Sequence, residues 1–301
     1  MNTSQTEITS ALLAGWPLPQ HDDGEDKEGR GRIFVAGGSP EIPGALILSS
    51  LASLRAGAGQ LKIATGQSIA RHVAAAVLEA WVVPLPETAG GGFDPICAGE
   101  LAENANNANS VLIGPGMQDE EATCSLLHAL LPEIHAPTVV LDAAALACLH
   151  DAPHLLHSLE GNAIVTPHAG EMAGILGRSR DDIKADPCGA AVEAAAALRA
   201  VVAMKGSETF IATPEGRIFR NRHGGVGLAT SGSGDTLAGI IAGLAARGAS
   251  PEQATVWGVF LHARAGEVLA ERVGPLGFLA RELLAEIPRL MWRTGVAEEQ
   301  K

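Results

Sequence analysis

The chain has 301 residues, enough for one large domain or two small ones and for a sizeable hydrophobic core. Its net charge of −13 comes without a long run of lysine and arginine, which argues against an extended surface for nucleic acid or anionic lipid. The N-terminus lacks a basic region followed by an apolar one, and no stretch approaches the roughly 18 apolar residues of a membrane span. We therefore expect a cytoplasmic protein with no membrane and no nucleic-acid partner.

Cysteine and histidine give no sign of a metal centre. The four cysteines are scattered and never form a Cys-x-x-Cys pair, so we expect free thiols that are mostly buried. Three histidines come close together at His150, His154 and His157, but Pro153 interrupts their helical spacing and no carboxylate or cysteine completes a ligand set. We predict no metal site made by protein side chains alone.

The segment 1–30 ends in the charged, glycine-bearing run HDDGEDKEGR, and this composition predicts a polar N-terminal arm that is loosely tied to the rest. We expect residues 31–301 to form a single domain. Short β-branched runs alternate there with longer Ala- and Leu-rich segments, which is typical of an α/β fold with a mostly parallel central sheet and helices on both faces. The strand candidates, in chain order, are RIFVA, QLKIAT, WVVPLP, SVLIG, TVVLDA, AIVTP and VVAMKG.

Two further elements are predicted near the C-terminus. The run TFIATPEGRIFRNR has turn residues at 214–216 between two β-prone halves, which indicates a small antiparallel β-hairpin. A long helix is predicted after Ser250, which would be its N-cap, with Gln253 completing a capping box and Gly274 as the stop.

Unusual residues follow several of the strand candidates. Ligands of open parallel sheets bind beyond the carboxyl ends of the strands, and these positions hold GGSPEIPGA, GPGM, Asp142, PHAGE and the pair Lys205-Gly206. Each of them alone has an ordinary structural explanation, because glycines end strands for steric reasons, a turn histidine caps a helix and a strand-end lysine is solvated. Their collection at one edge of the sheet is what predicts a site there.

The run ATSGSGDTLAGIIAGLAARG combines a small-residue turn with a helix. Gly232, Ser233 and Gly234 allow backbone amides to converge, and the N-terminus of the helix adds positive potential, so the turn is predicted to bind a phosphoryl group. Asp235 either stabilises the first helical turn or takes a proton from a substrate hydroxyl that attacks the phosphoryl group.

The helix behind this turn is apolar nearly all round, which predicts that it is buried and holds the turn rigidly. Gly239 and Gly243 would let it pack closely against a neighbouring element.

Six runs in order resemble the ribokinase-like superfamily and, within it, the ADP/ATP-dependent NAD(P)H-hydrate dehydratases. They cover nearly everything from residue 31 to residue 288, and their order is far more specific than any one of them. The runs are VAGGSPEIPGALILSSLASLRAGAGQLKIAT, VLIGPGM, VVLDAAAL, AIVTPHAGEM, VVAMKGSETFIATPEGRIFRN leading to GLATSGSGDTLAGIIAGL, and GPLGFLARELLAEIP.

The resemblance implies a ribokinase-like fold and the repair of damaged nicotinamide cofactors. The S-epimer of hydrated NADH or NADPH would be phosphorylated on its ring hydroxyl at the expense of ADP or ATP, and loss of phosphate would restore NADH or NADPH. Mg²⁺ would accompany the nucleotide through phosphates and water rather than through a protein cage.

The resemblance also assigns site residues. Asp235 would be the base and would contact the hydrated substrate, and Ala45, Gly116 and His168 match further positions that contact it. The nucleotide would lie along two segments, formed by Lys205, Gly206, Ser207, Glu208 and Thr209 and by Gly232, Ser233 and Gly234.

Two positions depart from the pattern of this family. The family commonly has LDADAL where this chain has LDAAAL, so Ala144 replaces a second acid while Asp142 is retained. The family often has proline where Ala169 stands, and this change is expected to loosen the turn that presents His168. Neither departure touches GSGD.

Many relatives carry a fused epimerase domain. About thirty residues before the first strand candidate leave no room for one, because a domain needs roughly 50 residues. Repair of both epimers would then need a separate NAD(P)H-hydrate epimerase as functional partner. The resemblance further implies a homo-oligomer, for instance a tetramer.

Two other functions stay open at this point. A kinase of the same superfamily that acts on a hydroxymethylpyrimidine or thiazole vitamin precursor would use the same GSGD turn and stop at the phosphate ester. A non-catalytic nucleotide sensor would keep the fold. The combination of GPGM, PHAGE and KGSET favours the dehydratases over the kinases, and the presence of Asp235 argues against a sensor. The preference between ADP and ATP, or between the two hydrates, is not predicted.

Overall fold

The computed structural model describes residues 5–20, 24, 26–135 and 137–295. Ten strands form one sheet, and their order across it is β1-β10-β9-β8-β7-β6-β5-β2-β3-β4. The strands are β1 (Gln5–Glu7), β2 (Arg32–Ala36), β3 (Gln60–Gly66), β4 (Ala80–Leu85), β5 (Ser110–Ile113), β6 (Thr138–Leu141), β7 (Ala163–Val165), β8 (Val201–Met204), β9 (Thr209–Ala212) and β10 (Ile218–Asn221).

Eleven α-helices, counted within the described residues, accompany the sheet. None of these described helices is long and apolar enough to span a bilayer. The helices are α1 (Ser10–Ala14), α2 (Pro43–Arg55), α3 (Ala70–Ala76), α4 (Ala98–Asn106), α5 (Glu120–Leu130), α6 (Ala169–Leu176), α7 (Arg180–Ala185), α8 (Pro187–Leu198), α9 (Ser233–Ala246), α10 (Pro251–Arg272) and α11 (Ala280–Gly295). Short 3₁₀ segments, among them Ala143–Leu149 after β6, connect several elements.

Alternate residues of the central strands enter two separate cores. In β2, Ile33 and Val35 join the core beneath α2, α9, α10 and α11, whereas Phe34 and Ala36 join the core beneath α4 to α8. This alternation follows from the two-residue period of a strand, and it requires apolar residues at nearly every position of a sheet covered on both faces. The predicted α/β architecture is therefore confirmed.

The hairpin prediction is confirmed as well. β9 runs antiparallel to both β8 and β10, and every other pair of neighbouring strands is parallel. Gly216 takes a φ of +85° in the turn between β9 and β10, a conformation that favours glycine. The hairpin places Thr209 and Asn221 next to each other, directly beyond β8.

The prediction of a loosely tied N-terminal arm is wrong for the part that the structure describes. β1 pairs with β10 and adds a strand to the sheet edge, and Ile8 and Leu13 are completely buried in the core. The backbone carbonyl of Trp16 accepts a hydrogen bond of 2.9 Å from the indole of Trp257. Gln253 also donates to this segment instead of closing the predicted capping box, so its side chain anchors the N-terminus to α10.

The glycines of α9 set its distance from α2. A Cβ at Gly239 would overlap the backbone carbonyl oxygen of Ser49, and a Cβ at Gly243 would overlap that of Ser53. Both obstacles are backbone atoms, so a larger residue can be accommodated only if the two helices separate. The predicted close packing of this helix is thus confirmed, and it fixes the position of the turn at its N-terminus.

Gly239→Ala is expected to lower the free energy of unfolding by about 1–3 kcal/mol, because the added methyl group separates two packed helices. Urea unfolding followed by circular dichroism would measure the change. Gly44→Ala is the matched control, since it lies in α2 and its Cβ would meet no atom within 4 Å. Equal stability of Gly239→Ala and the wild type would contradict the close-packing argument.

Candidate active site

Three polar side chains meet where β6, β7 and β8 end. Asp142, Thr166 and Lys205 each follow one of these strands, which lie side by side and run parallel. The Oδ1 atom of Asp142 accepts hydrogen bonds from Thr166 Oγ1 at 2.7 Å and from Lys205 Nζ at 2.9 Å. Asp142 is only 2% exposed and the Lys205 side chain 19%. Lys205 is therefore held by a buried carboxylate.

Carboxylates keep the ammonium group of Lys205 charged. Burial alone would lower the pKa of Lys205, but the charges of Asp142 and Glu171 outweigh that effect and raise it above the ordinary lysine value. Glu171 Oε2 lies 3.8 Å from Nζ. A permanent positive charge thus stands at the carboxyl edge of the sheet.

His168 is the N-cap of α6. Its Nδ1 atom accepts hydrogen bonds of 3.0 Å from the backbone amides of Gly170 and Glu171, and Glu171 Oε2 accepts one of 2.6 Å from the His168 amide. This capping box holds the turn in which Ala169 stands. Because Nδ1 is occupied as an acceptor, a neutral His168 carries its proton on Nε2, and the side chain is 60% exposed.

The GSGD turn opens directly into α9. Gly232 is the N-cap with a φ of +85°, and a Cβ there would overlap the Leu48 side chain. A Cβ at Gly234 would meet only the Lys205 ammonium, at 3.5 Å. Within the described part of the chain, the amides of Gly234 and Asp235 donate to no backbone carbonyl. The amide of Gly234, a helix N-terminus and the Lys205 ammonium therefore lie together, which suits an anionic ligand.

Asp235 lies in the first turn of α9, directly after Gly234. Burial first, and then the charge of Asp142, raise the pKa of Asp235 to about 6, while Lys205 acts in the opposite direction. A carboxyl group with this pKa is ionised near neutral pH yet binds a proton readily. These are the properties that a general base needs.

His262 was not predicted from the sequence. It lies on α10, where its Nε2 atom is 3.0 Å from Ser233 Oγ, and burial lowers its pKa to about 4. It is neutral near pH 7 and fixes the hydroxyl group of the turn residue Ser233. A histidine directly after the apolar run VWGVFL was the available signal.

The larger of two neighbouring cavities has a volume of about 800 Å³. Its opposite wall is apolar and includes Val226, Leu228 and Val259, which suits a planar base next to a polar phosphate end. Seven of the predicted site residues line it, namely His168, Lys205, Gly206, Ser207, Thr209, Ser233 and Gly234.

The smaller cavity has a volume of about 680 Å³ and shares His168 with the larger one. Its wall includes Ile42, Met117 and Glu171. Ala144 also lines it, so the absence of the second family acid leaves this wall apolar at that point.

Five predicted residues line neither cavity, and one of them is Asp235, which follows the lining residue Gly234 in α9. Ala45 and Gly116 pack together, with 3.2 Å between the Ala45 Cβ and the position a Cβ would take at Gly116, and they support the cavity-lining residues Ile42 and Met117. Glu208 accepts a hydrogen bond of 3.0 Å from Arg220 Nε, and Gly232 is turned toward Leu48. These positions shape the site from behind.

The fold and the site define a class of protein. A mostly parallel sheet and a GSGD turn that opens into a buried helix, with an aspartate in its first turn, are those of a ribokinase-like nucleotide-dependent enzyme. The crystal structure of the ADP/ATP-dependent NAD(P)H-hydrate dehydratase from Bacillus subtilis, co-crystallized with ATP/Mg²⁺, is similar with a TM-score of 0.81 and 29% identity, covering 98% of this chain and 99% of that one.

The chain belongs to the NAD(P)H-hydrate dehydratase family, whose model matches residues 33–289. A relative from Xanthomonas campestris named ADP-dependent (S)-NAD(P)H-hydrate dehydratase is 44% identical over 288 residues, which cover 95% of this chain and 96% of the relative. The bifunctional NAD(P)H-hydrate repair enzyme Nnr of Moorella thermoacetica is 37% identical over 283 residues, which cover 93% of this chain and 53% of that enzyme. This chain thus spans about half the length of the bifunctional relative.

Proposed function

We propose that this protein converts the S-epimer of hydrated NADH or NADPH back to NADH or NADPH, with ADP or ATP as phosphoryl donor. Family membership and the similarity to named dehydratases support the reaction. The observation that carries the assignment of the site is the position of Asp235. Asp235 directly follows Gly234, whose Cβ position lies 3.5 Å from the Lys205 ammonium, and Gly234 and Lys205 both line the larger of the two cavities that share His168.

Asp235 is proposed to accept the proton of the ring hydroxyl as its oxygen attacks the terminal phosphorus of the nucleotide. A new P–O bond forms, the bond to the departing AMP or ADP breaks, and the amides of Gly234 and Asp235 stabilise the transferred group. The ring nitrogen lone pair then expels phosphate, and the adjacent ring carbon loses a proton. The products are the dihydronicotinamide, inorganic phosphate and the shortened nucleotide.

The two cavities are proposed to hold the two substrates. The larger one suits the nucleotide, with its phosphates along Lys205 and the segment 206–209 and its base against the apolar wall. The smaller one suits the hydrated dinucleotide, in contact with His168 and with the wall that Ala45 and Gly116 support.

Mg²⁺ is proposed to enter with the nucleotide. Within the described ranges, no group of three His, Cys, Asp or Glu side chains has a geometry that would hold a metal ion. An ion bound by phosphate oxygens and water fits such a site, because Mg²⁺ keeps much of its water. When bound, Mg²⁺ neutralises charge on the phosphates.

The proposed function is tested by mixing the purified protein with hydrated NADH, Mg²⁺ and either ADP or ATP, and following the near-ultraviolet absorbance of the dihydronicotinamide ring. A rise that requires nucleotide, with one phosphate released per NADH formed, is expected. A mixture without nucleotide is the control. Formation of a stable phosphate ester on a hydroxymethylpyrimidine or thiazole alcohol, without any rise on hydrated NADH, would instead favour the vitamin-precursor kinases.

His168→Asn separates the two roles of this histidine. Asparagine is a good N-cap, so the free energy of unfolding should stay within about 0.5 kcal/mol of the wild type, whereas loss of the Nε2–H donor should raise KM for the hydrate about 10-fold. His168→Ala loses the cap too and should also be destabilised by about 1 kcal/mol. Steady-state kinetics and thermal melting measure both effects. An unchanged KM in His168→Asn would remove His168 from the substrate site.

A further inference from the structure

Asp235 is surrounded by charged groups from several elements. It lies in the first turn of α9, and the charges of Asp142, Lys205 and Glu171 act on it from other elements. The titratable groups that face this region are Asp142 after β6, His168 and Glu171 on α6, Lys205 after β8, and His262 on α10. His262 is neutral near pH 7, so among these described groups the lasting positive charge is that of Lys205.

Asp142 determines where that positive charge lies. Its Oδ1 atom binds Lys205 Nζ at 2.9 Å, and Thr166 Oγ1 binds the same oxygen at 2.7 Å from the neighbouring strand end. Nζ then lies 3.5 Å from the position that a Cβ would take at Gly234. The lysine is thus anchored on one side by a buried carboxylate and is directed on the other side at the GSGD turn.

We propose that Asp142 is a positioning residue of the reaction: it anchors the Lys205 ammonium beside the Gly234–Asp235 turn, and its charge and that of Lys205 together set when Asp235 is free to accept a proton. The proposal rests on the proposed function, in which Asp235 is the base. The sequence places Asp142 at the predicted site edge but assigns it no part in the reaction.

The two charges act on Asp235 in opposite directions. Asp142 disfavours a second negative charge nearby and raises the pKa of Asp235, while Lys205 favours that charge and lowers it. Without Lys205 the base would stay protonated to higher pH, and without Asp142 it would ionise at lower pH and bind protons more weakly. The two charges together therefore keep the pKa of Asp235 in a range where the carboxylate is ionised near neutral pH and still accepts a proton.

Asp142→Asn tests this balance, because asparagine keeps the acceptor oxygen and removes the charge. The acid limb of the pH profile of kcat/KM reports the ionisation of the free enzyme. We expect this limb to move to lower pH by about one pH unit in Asp142→Asn. Thr166→Val is the matched control, since it removes one hydrogen bond of the same carboxylate and leaves all charges in place, and its limb should not move.

Lys205→Met provides a second test with the opposite sign. Loss of the ammonium group should move the acid limb of the kcat/KM profile to higher pH. Any loss of nucleotide affinity in this variant is a separate effect that lowers kcat/KM at every pH. A folded Asp142→Asn whose limb coincides with that of the wild type would overturn the proposal. If Asp142→Asn does not fold, Lys205→Met is the test instead. An acid limb of Lys205→Met that coincides with that of the wild type would then overturn the proposal.

Failure of this inference is distinguishable from failure of the proposed function. Asp235→Asn measured alongside should be nearly inactive if Asp235 is the base. An inactive Asp235→Asn together with unmoved limbs would leave the proposed function standing and reduce Asp142 to a structural anchor of Lys205. An active Asp235→Asn would refute the base assignment itself.

Discussion

Asp235→Asn is expected to fold normally and to lose turnover by about 10²-fold or more, the usual scale for removal of a general base. Asparagine has nearly the same shape but cannot accept the proton of the ring hydroxyl at neutral pH. Since Asp235 is not among the residues that line the proposed nucleotide cavity, KM for the nucleotide should change much less than kcat. Initial rates of nucleotide-dependent NADH formation from the hydrate measure both constants.

Stability provides the control for this variant. The folded pKa of Asp235, about 6, lies above the value of 3.8 for an unperturbed aspartate, so ionisation costs the folded state free energy. The contribution of this group to stability is present at low pH and is lost as the pH rises from about 4 to about 6. Asparagine does not ionise, so Asp235→Asn does not lose this stability as the pH rises, and at pH 7 it should melt no lower than the wild type. A variant that is inactive because it is unfolded would melt lower, and a folded variant with the wild-type rate would refute the assignment.

The sequence predicts the central architecture well because the signal there is local. Seven strands carry apolar runs bounded by turn residues, and burial on both faces forces such runs. β1 was missed because its three residues are polar and exposed on an edge. The burial of Ile8 and Leu13 depends on contacts with distant segments, including α10, that no short window of sequence contains.

In the candidate site, too, local features are predictable from the sequence and contacts between distant residues are not. The GSGD turn and the cap at His168 are built from neighbouring residues, so their chemistry is visible in a few letters of sequence. The bond between Asp142 and Lys205 joins residues 63 positions apart, and the contact between Ser233 and His262 spans 29. Such pairs arise only once the sheet order places the elements side by side.

Gly234→Ala is expected to reduce kcat/KM for the nucleotide by about 10²-fold, the scale seen when a developing oxyanion no longer reaches one of its donors. The added methyl group would lie 3.5 Å from Lys205 Nζ, which is an ordinary van der Waals contact. It would therefore fold well. The same methyl group would occupy the space in which a phosphoryl oxygen approaches the helix amides.

Gly232→Ala, two residues earlier, should differ from Gly234→Ala in its melting temperature, and this difference is what the comparison tests. Gly232 has a φ of +85° and its Cβ would overlap Leu48, so this variant should lose both activity and melting temperature. Gly99→Ala, remote on α4 with no atom within 4 Å of its Cβ, should change neither. Parallel nucleotide titrations and melting curves of the three variants distinguish a blocked phosphate site from a weakened fold. If Gly234→Ala kept the wild-type nucleotide kinetics, the phosphoryl group would have to bind elsewhere, because the methyl group would leave it no room against these amides.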